Sequence, residues 1–225
     1  MSTIEHWING VATSAGSRRT GPVFNPATGA TQSQVLLAEA ADVDTAVAAA
    51  SKAFESWRIS SLTQRQRIMF GFRELLVQHE DELAELISAE HGKVIEDARG
   101  EIVRGREVVE YACGIAEALK GSFSDQVSGG IDVHNFRQPL GVCAGITPFN
   151  FPIMVPLWMH PIAIATGNTF VLKPSELEPW LKSCRSRLAV IIAGIKIVAD
   201  VLRGKSILRF CSSGITLRRT RGPNR

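Results

Sequence analysis

At 225 residues, with 45% of them hydrophobic, the chain is long enough for one large domain or two small ones and has ample material for a core. Its most apolar stretch, residues 188–202, is 15 residues long and contains Lys196 and Asp200. This stretch is too short and too charged to cross a bilayer, which excludes it as a membrane span.

The formal net charge of +3 is the sum of two opposite regions. Residues 1–179 contain 14 basic and 21 acidic side chains, a net charge of −7. Residues 180–225 contain 11 basic side chains and one acid, Asp200, a net charge of +10. Such asymmetry indicates either a nucleic-acid-binding tail or a change of reading frame.

Four cysteines are widely spaced and form no C-x-x-C or other metal-ligand pattern: Cys113, Cys143, Cys184 and Cys211. We therefore expect reduced, mostly buried thiols and no metal site. The first residues lack the basic start and apolar core of a signal peptide. Together these features predict a cytoplasmic protein.

The first 40 residues predict an N-terminal β-arm. Polar and apolar residues alternate around Asn9-Gly10, a pair that is typical of a two-residue hairpin turn. Further turns are indicated at Asn25-Pro26 and Thr28-Gly29.

From Asp42 the apolar spacing becomes helical. Asp42 is placed to cap a first helix that ends near Trp57, and Thr63 to cap a second. A third helix ends before His91-Gly92, and a fourth is expected from about residue 94 to Leu119. These four segments predict a helical layer.

A polar, glycine-bearing connection over 121–130 is followed by two predicted strands, 132–137 and 141–146. A helix over 155–165 has small and apolar residues on all faces, and a short strand over 168–172 follows it. Residues 41–179 therefore predict a helical layer and the start of an α/β, Rossmann-like nucleotide-binding sheet, truncated after its first strands.

Polar side chains follow the ends of both final strands. Asn150 lies in Thr147-Pro-Phe-Asn-Phe-Pro152, after the first strand, and Lys173 and Glu176 follow the second. Ligands of open α/β sheets bind beyond the carboxyl ends of the strands, so this edge is the predicted cofactor site. The chain contains no G-x-G-x-x-G run.

These two runs, residues 147–152 and Lys173-Pro-Ser-Glu176, resemble the signature of the NAD(P)-dependent aldehyde dehydrogenases. The phenylalanine before Asn150, the run from Arg104 to Cys113 and the opening His6-Trp-Ile-Asn-Gly10 resemble the methylmalonate-semialdehyde dehydrogenases within that family. The resemblance covers about residues 4–179 and implies the N-terminal part of the aldehyde dehydrogenase fold.

The resemblance implies a role for each polar residue at the strand ends. The amide of Asn150 would stabilise the oxyanion that forms when a thiolate attacks an aldehyde. Lys173 and Glu176 would bind the adenosine ribose of NAD, and Thr147 and Phe149 would supply backbone and wall contacts to the cofactor. The alternatives are a turn asparagine and an exposed Lys/Glu pair.

Arg104 is the candidate for binding a carboxylate on the substrate, because a guanidinium forms paired hydrogen bonds with a carboxylate. The alternative is a solvated helix arginine paired with Glu101, Glu107 or Glu110. Both interpretations remain open from the sequence.

The chain also departs from the family pattern. No Gly-Gln-x-Cys run, which carries the family's nucleophile, and no Glu-Leu-Gly-Gly run, which carries its base, occurs in the 225 residues. Leu177 stands where an arginine near the cofactor is usual. Cys113 lies in a predicted helix and Cys143 in an apolar strand, settings that raise the pKa of a thiol, and neither is predicted to be the nucleophile.

The family implies NAD-dependent oxidation of methylmalonate or malonate semialdehyde to propionyl-CoA or acetyl-CoA, with CoA as co-substrate and a homo-oligomer as the assembly. We expect the chain as written to be inactive, an NAD-binding remnant for which oligomerisation is doubtful. Residues 180–225 form a basic tail unlike the family. Few lysines and aromatic residues near its end favour a frameshift over a third possibility, a nucleic-acid-binding tail.

Overall fold

The computed structural model describes residues 2–14 and 19–175. In the described residues the strands are β1 (Ser2–Ile4), β2 (His6–Ile8), β3 (Val11–Thr13), β4 (Thr20–Phe24), β5 (Thr31–Leu36), β6 (Ser122–Ser128), β7 (Ile131–Asn135), β8 (Val142–Ile146) and β9 (Thr169–Lys173). The helices are α1 (Ala40–Trp57), α2 (Leu62–Gln78), α3 (Glu80–His91), α4 (Ile95–Cys113), α5 (Ile115–Ala118) and α6 (Met154–Ala165).

The predicted hairpin at the start of the chain is confirmed. Strands β2 and β3 pair antiparallel with Ile8 opposite Val11. The two turn residues have positive φ angles, 51° at Asn9 and 77° at Gly10. These are the angles that a two-residue turn between twisted strands requires, and Asn and Gly adopt them at low cost.

A separate three-stranded sheet places β5 between β1 and β4. Strand β5 runs parallel to β1 and antiparallel to β4. Ile4, Val23 and Val35 form a small apolar cluster on this sheet.

The first two helices begin earlier than the sequence analysis predicted. Helix α1 starts at Ala40, and Asp42 lies within its first turn, where its Oδ2 accepts a hydrogen bond from the Glu39 N–H at 2.9 Å. Helix α2 is capped by Ser61, whose hydroxyl accepts from the Gln64 N–H at 3.2 Å. Ser61 has extended backbone angles while Thr63 is already helical, so the predicted cap at Thr63 was wrong.

The predicted helix from residue 94 to Leu119 is interrupted. Helix α4 ends at Cys113, and α5 adds a single turn after Gly114. At the break the Gly114 N–H donates to the Tyr111 carbonyl at 3.0 Å, three residues back. This tightening of the last turn ends the regular ladder of α4.

The predicted connection over 121–130 is a strand in the structure, and this prediction was wrong. Residues of β6 pair antiparallel with β7 to form a hairpin that is exposed along its whole length. The partner strand β7 overlaps the predicted strand over 132–137. Strand β6 was missed: both of its faces are exposed, so no buried face imposes a pattern on its sequence.

The main apolar core joins the helical layer to the last strand. It contains residues of α1, α2, α3, α4, α6 and β9, among them Trp57, Leu76, Ile102, Leu157 and Phe170. Helices α4 and α6 approach each other at Gly105, where a Cβ atom would lie 2.5 Å from Leu157 Cδ1. The core thus holds α6, and the loop before it, against α4.

Candidate functional site

The candidate site lies at one edge of a βαβ unit made of β8, α6 and β9. The two strands pair in parallel, with Ile146 opposite Lys173 at their carboxyl ends. The Thr147 N–H donates to the Lys173 carbonyl at 3.1 Å, which extends the ladder by one bond. The structure therefore brings Thr147 and Lys173 together at the edge where α/β sheets bind ligands.

A loop of seven residues, 147–153, leaves this edge and leads into α6; we call it the asparagine loop. Thr147 is buried, whereas Phe149 and Asn150 are exposed. Among the described residues the side-chain amide of Asn150 has no hydrogen-bonding partner, and its N–H groups are available to a ligand. The backbone carbonyl of Asn150, in contrast, is tied to Lys93.

The second half of the predicted cofactor site is described only in part. Lys173 is exposed at the end of β9. Glu176 lies outside the described residues, as does Leu177. The structure thus places Lys173 beside Thr147, and the predicted Lys173/Glu176 pair stays a prediction.

Arg104 lies on α4 and is exposed. It makes no ion pair or hydrogen bond with the described part of the chain. Two of the three glutamates proposed as alternative partners of Arg104 are paired with other residues. Glu101 pairs with Lys93, and Glu110 pairs with Arg73. Arg104 follows Glu101 by one helical turn, and Glu101 contacts the first residues of α6. Its guanidinium therefore remains a candidate for binding an anion.

The structure adds two charged residues that the sequence analysis did not select. Glu101 is 1% exposed, and its Oε1 accepts hydrogen bonds from the N–H groups of Ile153 at 2.7 Å and Met154 at 3.1 Å. Its Oε2 accepts from Lys93 Nζ at 2.5 Å. Glu101 occupies a position of the apolar stripe of α4, next to Ile102, and this was the signal that could have identified it.

His91 contacts the asparagine loop through its ring. The imidazole stacks on Phe149 with 4.9 Å between ring centroids and 25° between planes. Burial lowers the pKa of His91 most, the charge of Lys93 lowers it further, and Glu101 offsets part of this shift. A lowered pKa favours the neutral form of the ring, which suits stacking on an aromatic face.

The two cysteines in the described residues, Cys113 and Cys143, are buried or half-buried within secondary structure. Cys113 is buried at the end of α4, and burial raises the pKa of its thiol, with a further rise from Glu110 and a partial offset from Arg73 and a backbone hydrogen bond. Cys143 is half-buried in β8. A thiol with a raised pKa is a poor nucleophile at neutral pH, as expected for Cys113 from the sequence.

Two kinds of feature are absent from the described residues. No group of three or more His, Cys, Asp or Glu side chains in this part of the chain is arranged to hold a metal ion. No helix in residues 2–14 and 19–175 has the length and apolar character needed to cross a membrane.

A βαβ unit with an amide-bearing loop at its strand ends, packed on a helical layer, is the arrangement that the sequence resemblance implied. The chain belongs to the aldehyde dehydrogenase family, whose model matches residues 12–202. This confirms the predicted family and the predicted fold. The match also runs past residue 179, the predicted limit of the family-like region.

Within the family, the chain is similar to malonate- and methylmalonate-semialdehyde dehydrogenases. The chain is 51% identical over 179 residues to malonate-semialdehyde dehydrogenase of Pseudomonas aeruginosa, a match that covers 80% of this chain and 36% of the relative. It is 49% identical over 168 residues to the mitochondrial, acylating methylmalonate-semialdehyde dehydrogenase of Arabidopsis thaliana, with 75% and 28% covered.

Solved structures agree with these matches. A methylmalonate-semialdehyde dehydrogenase of Oceanimonas doudoroffii is 47% identical with a TM-score of 0.81, covering 90% of this chain and 43% of that one. A protein of Sinorhizobium meliloti assigned to the same activity and complexed with NAD is 45% identical with a TM-score of 0.81, covering 86% and 39%. The chain thus spans about two fifths of the length of these two solved relatives.

Proposed function

We propose that the chain forms the cofactor-binding part of an NAD-dependent semialdehyde dehydrogenase that acts on malonate or methylmalonate semialdehyde. The observation that carries this proposal is the asparagine loop at the shared carboxyl ends of β8 and β9. The names of the relatives, at 49% and 51% identity, support the substrate class.

The residues at the edge have the chemistry that a dinucleotide requires. The ammonium of Lys173 donates to ribose hydroxyls, and Glu176, close behind it in the sequence, accepts from them. Thr147 and Phe149 line the adjoining surface with backbone groups and an aromatic wall. Bound there, NAD supplies the acceptor for the hydride of the aldehyde.

Asn150 and Arg104 act on the substrate in this proposal. The exposed amide of Asn150 donates to the carbonyl oxygen as negative charge develops on it, an effect that is typically worth about 3 kcal/mol of activation barrier. Arg104 binds the substrate carboxylate through its guanidinium. CoA is the proposed acceptor of the acyl group, in keeping with the acylating relative of Arabidopsis thaliana.

The 225-residue chain by itself is proposed to bind NAD without oxidising an aldehyde. Its sequence contains neither of the runs that carry the family's nucleophile and base, and burial raises the pKa of Cys113. NADH formation by the pure chain with malonate semialdehyde, NAD and CoA would contradict this part of the proposal.

Titration of the chain with NAD in a calorimeter tests the binding site. We expect NAD to bind, and Lys173→Met to weaken binding by about tenfold, the effect of losing one charge-assisted hydrogen bond. Lys120→Met is the matched control, because Lys120 pairs with exposed Glu117 away from the strand ends. Absence of NAD binding, or equal loss in both variants, would contradict the proposed site.

A further inference from the structure

The end of α3 and the turn after it contact three consecutive residues of the asparagine loop. His91 stacks on Phe149, and Lys93 Nζ donates to the Asn150 carbonyl at 2.7 Å. The same ammonium lies 4.4 Å from the centroid of the Phe151 ring. These contacts span 57 residues of sequence and fix the loop on both sides of Asn150.

Glu101 ties the same ammonium to the start of α6. Its carboxylate accepts from Lys93 Nζ and from the N–H groups of Ile153 and Met154, the donors that a helix leaves unpaired at its first turn. A negative charge at this end of a helix is also favoured by the helix dipole. One buried carboxylate therefore connects α4, the turn at Lys93 and the end of the asparagine loop.

We propose that Lys93 and Glu101 are positioning residues that hold the asparagine loop so that the Asn150 amide points to the reacting carbonyl. The proposal rests on the proposed function, since it assumes that Asn150 donates to an oxyanion. The Asn150 carbonyl is anchored while its side chain is exposed, so the backbone is fixed and the amide is presented.

The burial of the pair distinguishes it from an ordinary surface ion pair. The Glu101 side chain is 1% exposed and that of Lys93 is 15% exposed, so the carboxylate depends on its protein partners rather than on water. Losing Lys93 alone would leave the buried Glu101 carboxylate with its two backbone donors but without a counter-charge, which would destabilise the chain as well as release the loop. The informative variant therefore changes both residues.

The double variant Lys93→Met with Glu101→Gln removes both charges, while the amide oxygen introduced at position 101 still accepts from the backbone N–H groups at the start of α6. It loses the bond to the Asn150 carbonyl and the contact with Phe151. The matched control is Lys120→Met with Glu117→Gln, a lysine–glutamate pair of the same chemistry on the surface. Lys93→Arg, which keeps a cationic donor, serves as the conservative variant.

Hydrogen–deuterium exchange of the full chain measures the loop directly. In the double variant we expect amides of residues 147–154 to exchange about tenfold faster, the effect of losing a charge-assisted hydrogen bond, while those of α2 keep their rates. The control pair should leave both segments unchanged, and Lys93→Arg should restore most of the protection. Unchanged exchange of the loop in the double variant would overturn the proposal.

Binding of NAD and of AMP separates positioning from general destabilisation. In the proposed site AMP would engage the Lys173 side, whereas the nicotinamide half of NAD would reach the asparagine loop. We expect the double variant to weaken NAD binding by about tenfold and to leave AMP binding unchanged. Equal weakening of both ligands would overturn the positioning role. If the unaltered chain binds neither ligand, the proposed function fails, and the exchange rates alone decide whether the pair holds the loop.

Discussion

His160 shows how one buried side chain couples the stability of this protein to pH. Its ring lies in α6 near the rings of Phe72 and Phe170, with centroid distances of 5.8 Å and 6.3 Å. Nδ1 is 2.6 Å from the Pro156 carbonyl and so carries the proton, while Nε2 has no hydrogen-bonding partner in the described part of the chain. Burial lowers the pKa of His160 to about 3, and the bond to Pro156 offsets part of that shift.

The sign of the pH effect follows from the neutral state of this ring. In the unfolded chain His160 takes up a proton near its ordinary pKa of 6.5, but in the folded chain it does so only near 3. Below pH 6.5 the unfolded state therefore binds more protons, and the free energy of unfolding falls by about 1.4 kcal/mol for each pH unit, until about pH 3.

Urea unfolding between about pH 7 and pH 5 measures this contribution. The variant His160→Gln keeps a polar side chain that does not titrate, so its free energy of unfolding should fall less steeply with decreasing pH. The quantity to compare is the slope of the free energy of unfolding against pH, because the substitution also changes packing and therefore the free energy of unfolding at every pH. Equal slopes for the two proteins would show that His160 does not titrate as the structure requires.

At the scale of elements, the contact between α4 and α6 determines where the asparagine loop begins. Gly105 faces Leu157, and a Cβ atom at Gly105 would lie 2.5 Å from its Cδ1 and 3.1 Å from its Cβ. Leu157 is fully buried in the main core. A glycine is therefore needed at this point of α4 for the helices to approach each other.

Two alanine substitutions on α4 test this contact. Gly105→Ala should lower the free energy of unfolding by about 1–3 kcal/mol, because it overpacks the helix interface. Gly100→Ala is the matched control: nothing lies within 4 Å of a Cβ atom there, and alanine should stabilise the helix by about 0.5–1 kcal/mol. Chemical denaturation measures the free energy of unfolding of both variants. A gain in stability from Gly105→Ala as well as from Gly100→Ala would contradict the close approach of α4 to α6 at Gly105.

Elements with a buried face were predictable from the sequence. The helices of the layer and the strands β8 and β9 have apolar patterns in their sequences. Turn residues such as Asn9 and Gly10 are also predictable, because few other residue types adopt positive φ angles at low cost. The fully exposed strand β6 has no buried face to pattern its sequence and was missed, although its partner β7 overlaps the predicted strand over 132–137. Helix starts were misplaced by one to three residues, because several polar residues near each start are able to cap it and local sequence does not decide among them.

The candidate site was predictable in part, for a similar reason. Lys173 ends β9 and Asn150 lies in the loop after β8, so the end of each strand locates them. Lys93 and Glu101 reach the asparagine loop from another element, across 52 to 57 residues of sequence. Their pairing depends on how α4 packs on α6, which no local pattern specifies.

At the scale of the whole molecule, the described part of the chain leaves apolar residues of strand β8 exposed. Val142 and Ile146 lie on the exposed face of β8, and Ile146 is 75% exposed. The unit contacts α1 through Trp57, which shares the main core with Phe170 and Leu172 and whose Nε1 donates to the Ile164 carbonyl at 3.0 Å. The stability of the βαβ unit therefore depends on its contact with the helical layer.

Trp57 provides the test of this dependence. Trp57→Phe removes the hydrogen bond that joins α1 to α6 and part of a side chain that is only 4% exposed, so the free energy of unfolding should fall by about 2 kcal/mol. The Ile164 carbonyl keeps a second donor, the Gly167 N–H at 3.0 Å, so no buried acceptor is left unpaired. The expected loss is therefore moderate, and the variant should still fold.

Trp158→Phe is the control for the Trp57 substitution, because Trp158 lies on α6 of the same βαβ unit but is 48% exposed. We expect it to change the free energy of unfolding by less than about 0.5 kcal/mol. Unfolding followed by circular dichroism and by the fluorescence of the remaining tryptophans should give one transition in each variant, since a single core joins the layers. Equal stability of the two variants, or separate transitions for the helical layer and the βαβ unit, would show that the contact at Trp57 does not couple them.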